Sequence, residues 1–162
     1  MTAILRVIDL VNKWIKTILG VLLAVMSITI MAQVFSRFVL GSSITWSEEL
    51  ARLLMAYIIF IAAAVALRYQ KLIAVEIVPD RLRGRSKTIL TIFIQLIGII
   101  FFFILLVQGV EMVQKVHLQQ SAALRLPMSV FYACVPIGAF LLIMNSIAVT
   151  IETFTKKEGE NK

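Results

Sequence analysis

Four charged residues, Arg37, Glu48, Glu49 and Arg52, share the segment RFVLGSSITWSEELAR, which separates two long runs without any charged side chain, 17–36 and 53–67. Runs of that length and composition suit membrane-spanning helices, so these charges belong at a membrane surface. Glu48 and Glu49 stand four and three residues before Arg52, the spacing of a helical ion pair. Arg37 ends the first run, where it either snorkels to the headgroups or pairs with Glu48 or Glu49. Lys115 and Arg125 fall on the same side if the chain crosses the membrane four times. These six residues form a candidate charge cluster for docking a partner or stabilising the fold.

Other reactive residue types are sparse. His117 is the sole histidine and Cys134 the sole cysteine. One imidazole excludes bis-histidine haem ligation within the chain, and one thiol excludes an internal disulfide or a redox pair. Glu111 is the acid nearest to a span interior, but Lys115 four residues later is a ready ion-pair partner. There is no Gly-rich phosphate loop, no nucleophile elbow and no acid or cysteine cluster of metal-ligand spacing. We expect no catalytic, cofactor or metal site, and no enzyme.

The elements that must position these residues are helices. The chain is 60% hydrophobic and 15% charged, against roughly 25% charged in soluble domains. Two further apolar runs, 88–110 and 128–151, bring the spans to four, at approximately 17–37, 47–68, 88–112 and 128–152 of a single membrane domain, 1–162. None alternates as barrel strands do, so the expected fold is an all-α integral membrane protein of four transmembrane helices. The first run exceeds a signal-peptide core and lacks a cleavage site, so it should persist as an anchor. Before it, Ile4, Ile8, Val11 and Ile15 oppose Arg6, Asp9, Lys13 and Lys16, the pattern of an amphipathic lead-in lying at the interface before the chain turns into the bilayer. Trp14 and Trp46 are candidate interface anchors. Thr45 followed by Glu48 matches a capping box, which predicts that the second span starts near Trp46. The second connection mixes Leu72, Val75 and Leu82 with charges around Pro79, as an interfacial segment does.

Lysine and arginine set the orientation. Arg6, Lys13, Lys16, Arg68, Lys71, Arg81, Arg83, Arg85, Lys87, Lys156, Lys157 and Lys162 lie on one side, and only Arg37, Arg52, Lys115 and Arg125 on the other. The positive-inside rule therefore places both termini in the cytoplasm. The net charge of +7 is spread along helix flanks, so it reflects topology and anionic lipid rather than nucleic acid. Within the spans, Gln33, Gln95, Gln108 and Asn145 are placed to bond across helices, and Gly20, Gly98, Gly109 and Gly138 to let backbones approach.

An arginine closing the first span, TWSEELAR opening the second, and SAALRLPMSVFYACVPIGAFLLIMN leading through the fourth together resemble the small integral-membrane subunit of tripartite ATP-independent periplasmic (TRAP) transporters, the DctQ type. The likeness spans essentially the whole chain in length, span number and motif order. One departure lies in the second connection, where that family often has a histidine followed by an aspartate and this chain has Gln70, Lys71 and Glu76.

The resemblance implies a non-catalytic subunit in a bacterial inner membrane that braces a large permease subunit. In such systems the large subunit holds the substrate and sodium sites, and a periplasmic substrate-binding protein delivers an organic anion. Two other classes share the size. A small multidrug exporter needs a carboxylate in its first span, which is missing here, and a four-helix anchor of a respiratory or quinone enzyme would ordinarily bring paired histidines.

Overall fold

The computed structural model describes residues 2–41, 44–69 and 85–160, with side-chain surroundings for 5–41, 44–69, 90 and 93–152. The second connection, with Leu72, Val75, Pro79 and Leu82, lies outside the described residues. Among the described residues, five helices follow in order: α1 (Thr2–Val39), α2 (Thr45–Arg68), α3 (Arg85–Lys115), α4 (Met128–Tyr132) and α5 (Cys134–Glu160). Four stretches of the described residues are long and apolar enough to cross a membrane, Leu5–Val39, Thr45–Arg68, Phe93–Lys115 and Met128–Glu152. The last is made of α4 and α5 together. Among the described residues there is no strand, only an isolated bridge between Gln120 and Pro127.

The N-terminal lead-in differs from expectation in one respect. It does not turn: lead-in and first span form one helix of 38 residues, about 57 Å long at 1.5 Å per residue. That is nearly twice the ~30 Å hydrocarbon thickness, so α1 projects well beyond the bilayer or tilts within it. Its inward positions repeat every three or four residues, through Leu5, Ile8, Asn12, Ile15, Leu19 and Leu22 to Ser36, and the positions between are exposed. This is the narrow seam of a helix that packs mainly on one neighbour. Val11, expected beside Ile8, lies outside the seam, and the polar Asn12 lies in it.

The second span starts at Thr45, one residue before Trp46, but without a capping box. Ile44 is the N-cap, and its apolar side chain makes no capping hydrogen bond. Instead the Ser47 hydroxyl donates to the Ile44 carbonyl at 2.7 Å. The fourth span breaks at Ala133 because Pro136 has no N–H to offer the carbonyl one turn back. In the first turn of a new helix the missing donor costs nothing, and α5 accordingly begins at Cys134.

The helices pack in a row, α1–α2–α5–α3. α5 lies between α2 and α3, α1 rests on α2 and touches α5 slightly, and α3 packs substantially on neither α1 nor α2 among the described residues. Two close approaches knit the row. A Cβ on Gly138 would fall 2.5 Å from Cβ of Phe60, and one on Gly109 would fall 2.9 Å from Cδ of Pro136. Glycine is thus required where α5 meets α2 and where α3 meets α5. Gly20 and Gly98 approach no other helix within 4 Å. Ala64, Leu67 and Leu142 form the apolar core, with Phe102 and Leu141 against it. Cys134, at the start of α5, is buried too, its thiol 3.1 Å from the Phe131 carbonyl.

Candidate functional site

At the end opposite the termini, the charge cluster divides into local pairs and one long-range contact. Arg52 Nη2 lies 3.4 Å from Glu48 Oε1, both largely exposed. Lys115 Nζ lies 2.7 Å from Glu111 Oε1. Both are one-turn helical pairs, as spacing predicts. Arg37 is exposed and forms no ion pair among the described residues, so the alternative of a contact with Glu48 or Glu49 is not realised.

Glu49 turns the other way. Its Oε2 accepts the backbone N–H groups of Ala123 at 3.0 Å and Leu124 at 2.7 Å. The connection before α4 folds back on itself: Ser121 N–H donates to the Leu126 carbonyl at 2.8 Å and Met128 N–H to the Gln119 carbonyl at 2.7 Å. At its tip Arg125 has φ of 52°, a left-handed conformation uncommon for a non-glycine residue. A carboxylate from the first turn of α2 therefore holds the loop that carries Arg125, while about two turns further along α2 the Tyr57 hydroxyl donates to the Val130 carbonyl at 2.7 Å. His117 is exposed nearby, its Nδ1 2.6 Å from the Gln114 carbonyl. Trp46 and, toward the other end, Trp14 face outward.

The end that bears the termini holds the strongest polar site, and sequence reasoning missed it. Arg68, counted above only as a topological charge, has a side chain 7% exposed. Its Nη1 donates to Glu152 Oε2 at 2.7 Å and its Nη2 to Glu152 Oε1 at 2.5 Å. Nε and Nη2 also reach Asp9 Oδ1, at 3.0 and 2.8 Å. One guanidinium thus ties α1, α2 and α5 by the two-pronged geometry that arginine alone provides. The readable signal was two acids, Asp9 and Glu152, set among the basic flanks of the first and last spans.

One turn further into the membrane, Asn12 and Asn145 exchange amide hydrogen bonds at 2.7 and 3.1 Å. Asn145 also donates to the Ala64 carbonyl at 2.7 Å, so the same three helices are joined again. Ser146 hydroxyl donates to Gln95 Oε1 at 2.7 Å, joining α5 to α3. Gln95 and Asn145 thus bond across helices as expected. Gln33 and Gln108 make no such bond among the described residues.

This geometry defines a class: a multi-span helical membrane protein whose interhelical polar groups satisfy one another. The model of the DctQ component of tripartite ATP-independent periplasmic transporters matches residues 26–156, and the chain belongs to that family. It is 27% identical to the ectoine TRAP transporter small permease protein TeaB of Halomonas elongata, over 96% of this chain and 82% of that protein. It is 21% identical to the sialic acid TRAP transporter small permease protein SiaQ of Vibrio cholerae, over 85% of this chain and 80% of that one. With the sialic acid TRAP transporter permease protein SiaT of Haemophilus influenzae it shares 26% identity over 93% of this chain, but spans only 24% of that longer protein.

Proposed function

We propose that this chain is the fixed wall of a tripartite transporter. It braces a large permease subunit that holds the substrate and sodium sites, carries no solute itself, and offers the periplasmic binding protein part of its docking surface. Both termini lie in the cytoplasm, and the solute is an organic anion. The observation that carries the reading is the use of the interhelical polar side chains. Asn12, Asn145, Gln95, Ser146 and the Arg68 fork all bond within the chain, which suits a rigid support and leaves little to line a path. The row of helices agrees, since a carrier that moves one domain across the bilayer needs a static counterpart.

The relatives support the division of labour. One small permease protein is named for ectoine and another for sialic acid, so solute choice is better assigned to another subunit. The protein SiaT carries a stretch similar to this chain within a polypeptide about four times as long, which favours a permease partner in permanent contact. Deleting this chain from cells that keep the large permease and the binding protein tests the proposal. Sodium-driven uptake should vanish while the large subunit still inserts, and expressing the chain in trans should restore it. Undiminished uptake would overturn the reading.

A further inference from the structure

Gln108, on α3, is a polar side chain at membrane depth without a hydrogen-bond partner among the described residues, and unlike Gln33, which lies in the half-buried seam of α1, it is fully turned outward. Its depth follows from two neighbours. Lys115 ends the helix seven residues later, about 10 Å along the axis. Gly109 packs on Pro136, well down the fourth span from its start at Met128. An amide there sees hydrocarbon, where a missing hydrogen bond is costly.

Nothing among the described residues relieves this. α3 is an edge helix of the row, packed on α5 and on α4, both parts of the fourth span. Phe101, Ile104, Gln108, Glu111 and Lys115 recur at three- and four-residue steps and are all exposed, so the amide belongs to one continuous stripe that ends in the Glu111–Lys115 pair. An aliphatic side chain would serve lipid better, as at Ile97, Ile100 and Val107 on the same helix. A membrane helix that offers a hydrogen-bonding group opposite Gln108 would account for the amide and for the position of the ion pair at the rim.

We propose that this stripe of α3 is the face that docks a transmembrane segment of the large permease, with Gln108 hydrogen-bonded across the contact. The inference rests on the wall reading above and adds the face. The large permease is favoured as occupant because the stretch similar to this chain in SiaT is joined to a much longer permease polypeptide.

The test uses the assembled complex in nanodiscs. Gln108→Leu should weaken association with the large subunit roughly three- to tenfold, the range of interhelical hydrogen bonds in membranes, while the isolated variant melts no lower than the parent. Gln108→Asn should retain part of the affinity. As a measurement independent of that substitution, a photo-crosslinking phenylalanine analogue at Phe101 should capture the large subunit, and one at Ile28 on the outer face of α1 should not. Unchanged association of Gln108→Leu, capture from Ile28 instead of Phe101, or capture of a second copy of this chain would each overturn the inference and leave the wall reading standing. If the unaltered chain fails to associate with the large subunit, the wall reading falls too.

Discussion

Arg68 and Glu152 face each other as a two-pronged ion pair, with two N–O distances of 2.7 and 2.5 Å, across the junction of α2 and α5. Asp9 of α1 shares the same guanidinium. Because the arginine is buried and its acids are half-exposed, removing the cation and removing an acid have different consequences. The acids can rehydrate, whereas the guanidinium left without Glu152 stays in place with one partner.

Glu152→Ala should therefore destabilise the chain more than Asp9→Ala. A broken buried pair costs about 3–5 kcal/mol, and the exposure of both acids puts Glu152→Ala at the low end of that range. Arg68→Lys should also lower the melting temperature, since an ammonium cannot reproduce the fork. Thermal unfolding in detergent, followed by size-exclusion profiles, reads the order. Equal melting of all three variants and the parent would mean that the fork contributes nothing to holding the helices.

Gly138→Ala places a methyl group where Phe60 already sits. The expected penalty is about 1–3 kcal/mol, typical of overpacking. Phe60→Ala opens a space of its own, but combined with Gly138→Ala it should cost less than the two singly. A double-mutant cycle on unfolding midpoints gives the coupling, and strict additivity would show that the two residues do not meet.

The outer charges are expected to act on encounter more than on assembly. Lys115→Glu with Arg125→Glu should raise the binding-protein concentration that half-saturates uptake, more at low ionic strength, because exposed charges are screened by salt. The complex should still assemble. Arg52→Ala should be milder still, an exposed helical pair being worth about 0.3–0.5 kcal/mol. Uptake that is unchanged at every salt level and concentration would remove Lys115 and Arg125 from the docking surface.

Orientation is open to thiol labelling in intact cells, because the native Cys134 is buried. A cysteine at Leu118, which is 82% exposed, should react with an impermeant reagent, and one at Arg6 should be shielded. The reverse pattern would turn the whole charge cluster toward the cytoplasm.

What the sequence made legible divides by range. The four spans, the start of α2 beside Trp46 and the Glu48–Arg52 and Glu111–Lys115 pairs rest on neighbours within one or two turns, and periodicity and spacing reach that far. Gln95 and Asn145 were recognisable as interhelical because an amide inside a span needs a partner. Their partners were not, since Asn12 reads as one more polar residue of a charged lead-in. Arg68 lies 59 and 84 residues from its two acids, and Glu49 lies 74 and 75 from the amides it holds, so only the packed fold brings them together. The capping box failed for a related reason. Glu48 is taken by Arg52, and the start of the helix is tied by Ser47 to Ile44.

The central claim is that this chain supports transport without conducting it, and flux through the purified protein tests that directly. Reconstituted alone in liposomes under a sodium gradient, it should give no saturable uptake of the organic anion taken up by the full assembly. Adding the large permease and the binding protein should restore uptake. Saturable, sodium-dependent uptake by this chain alone would contradict the account.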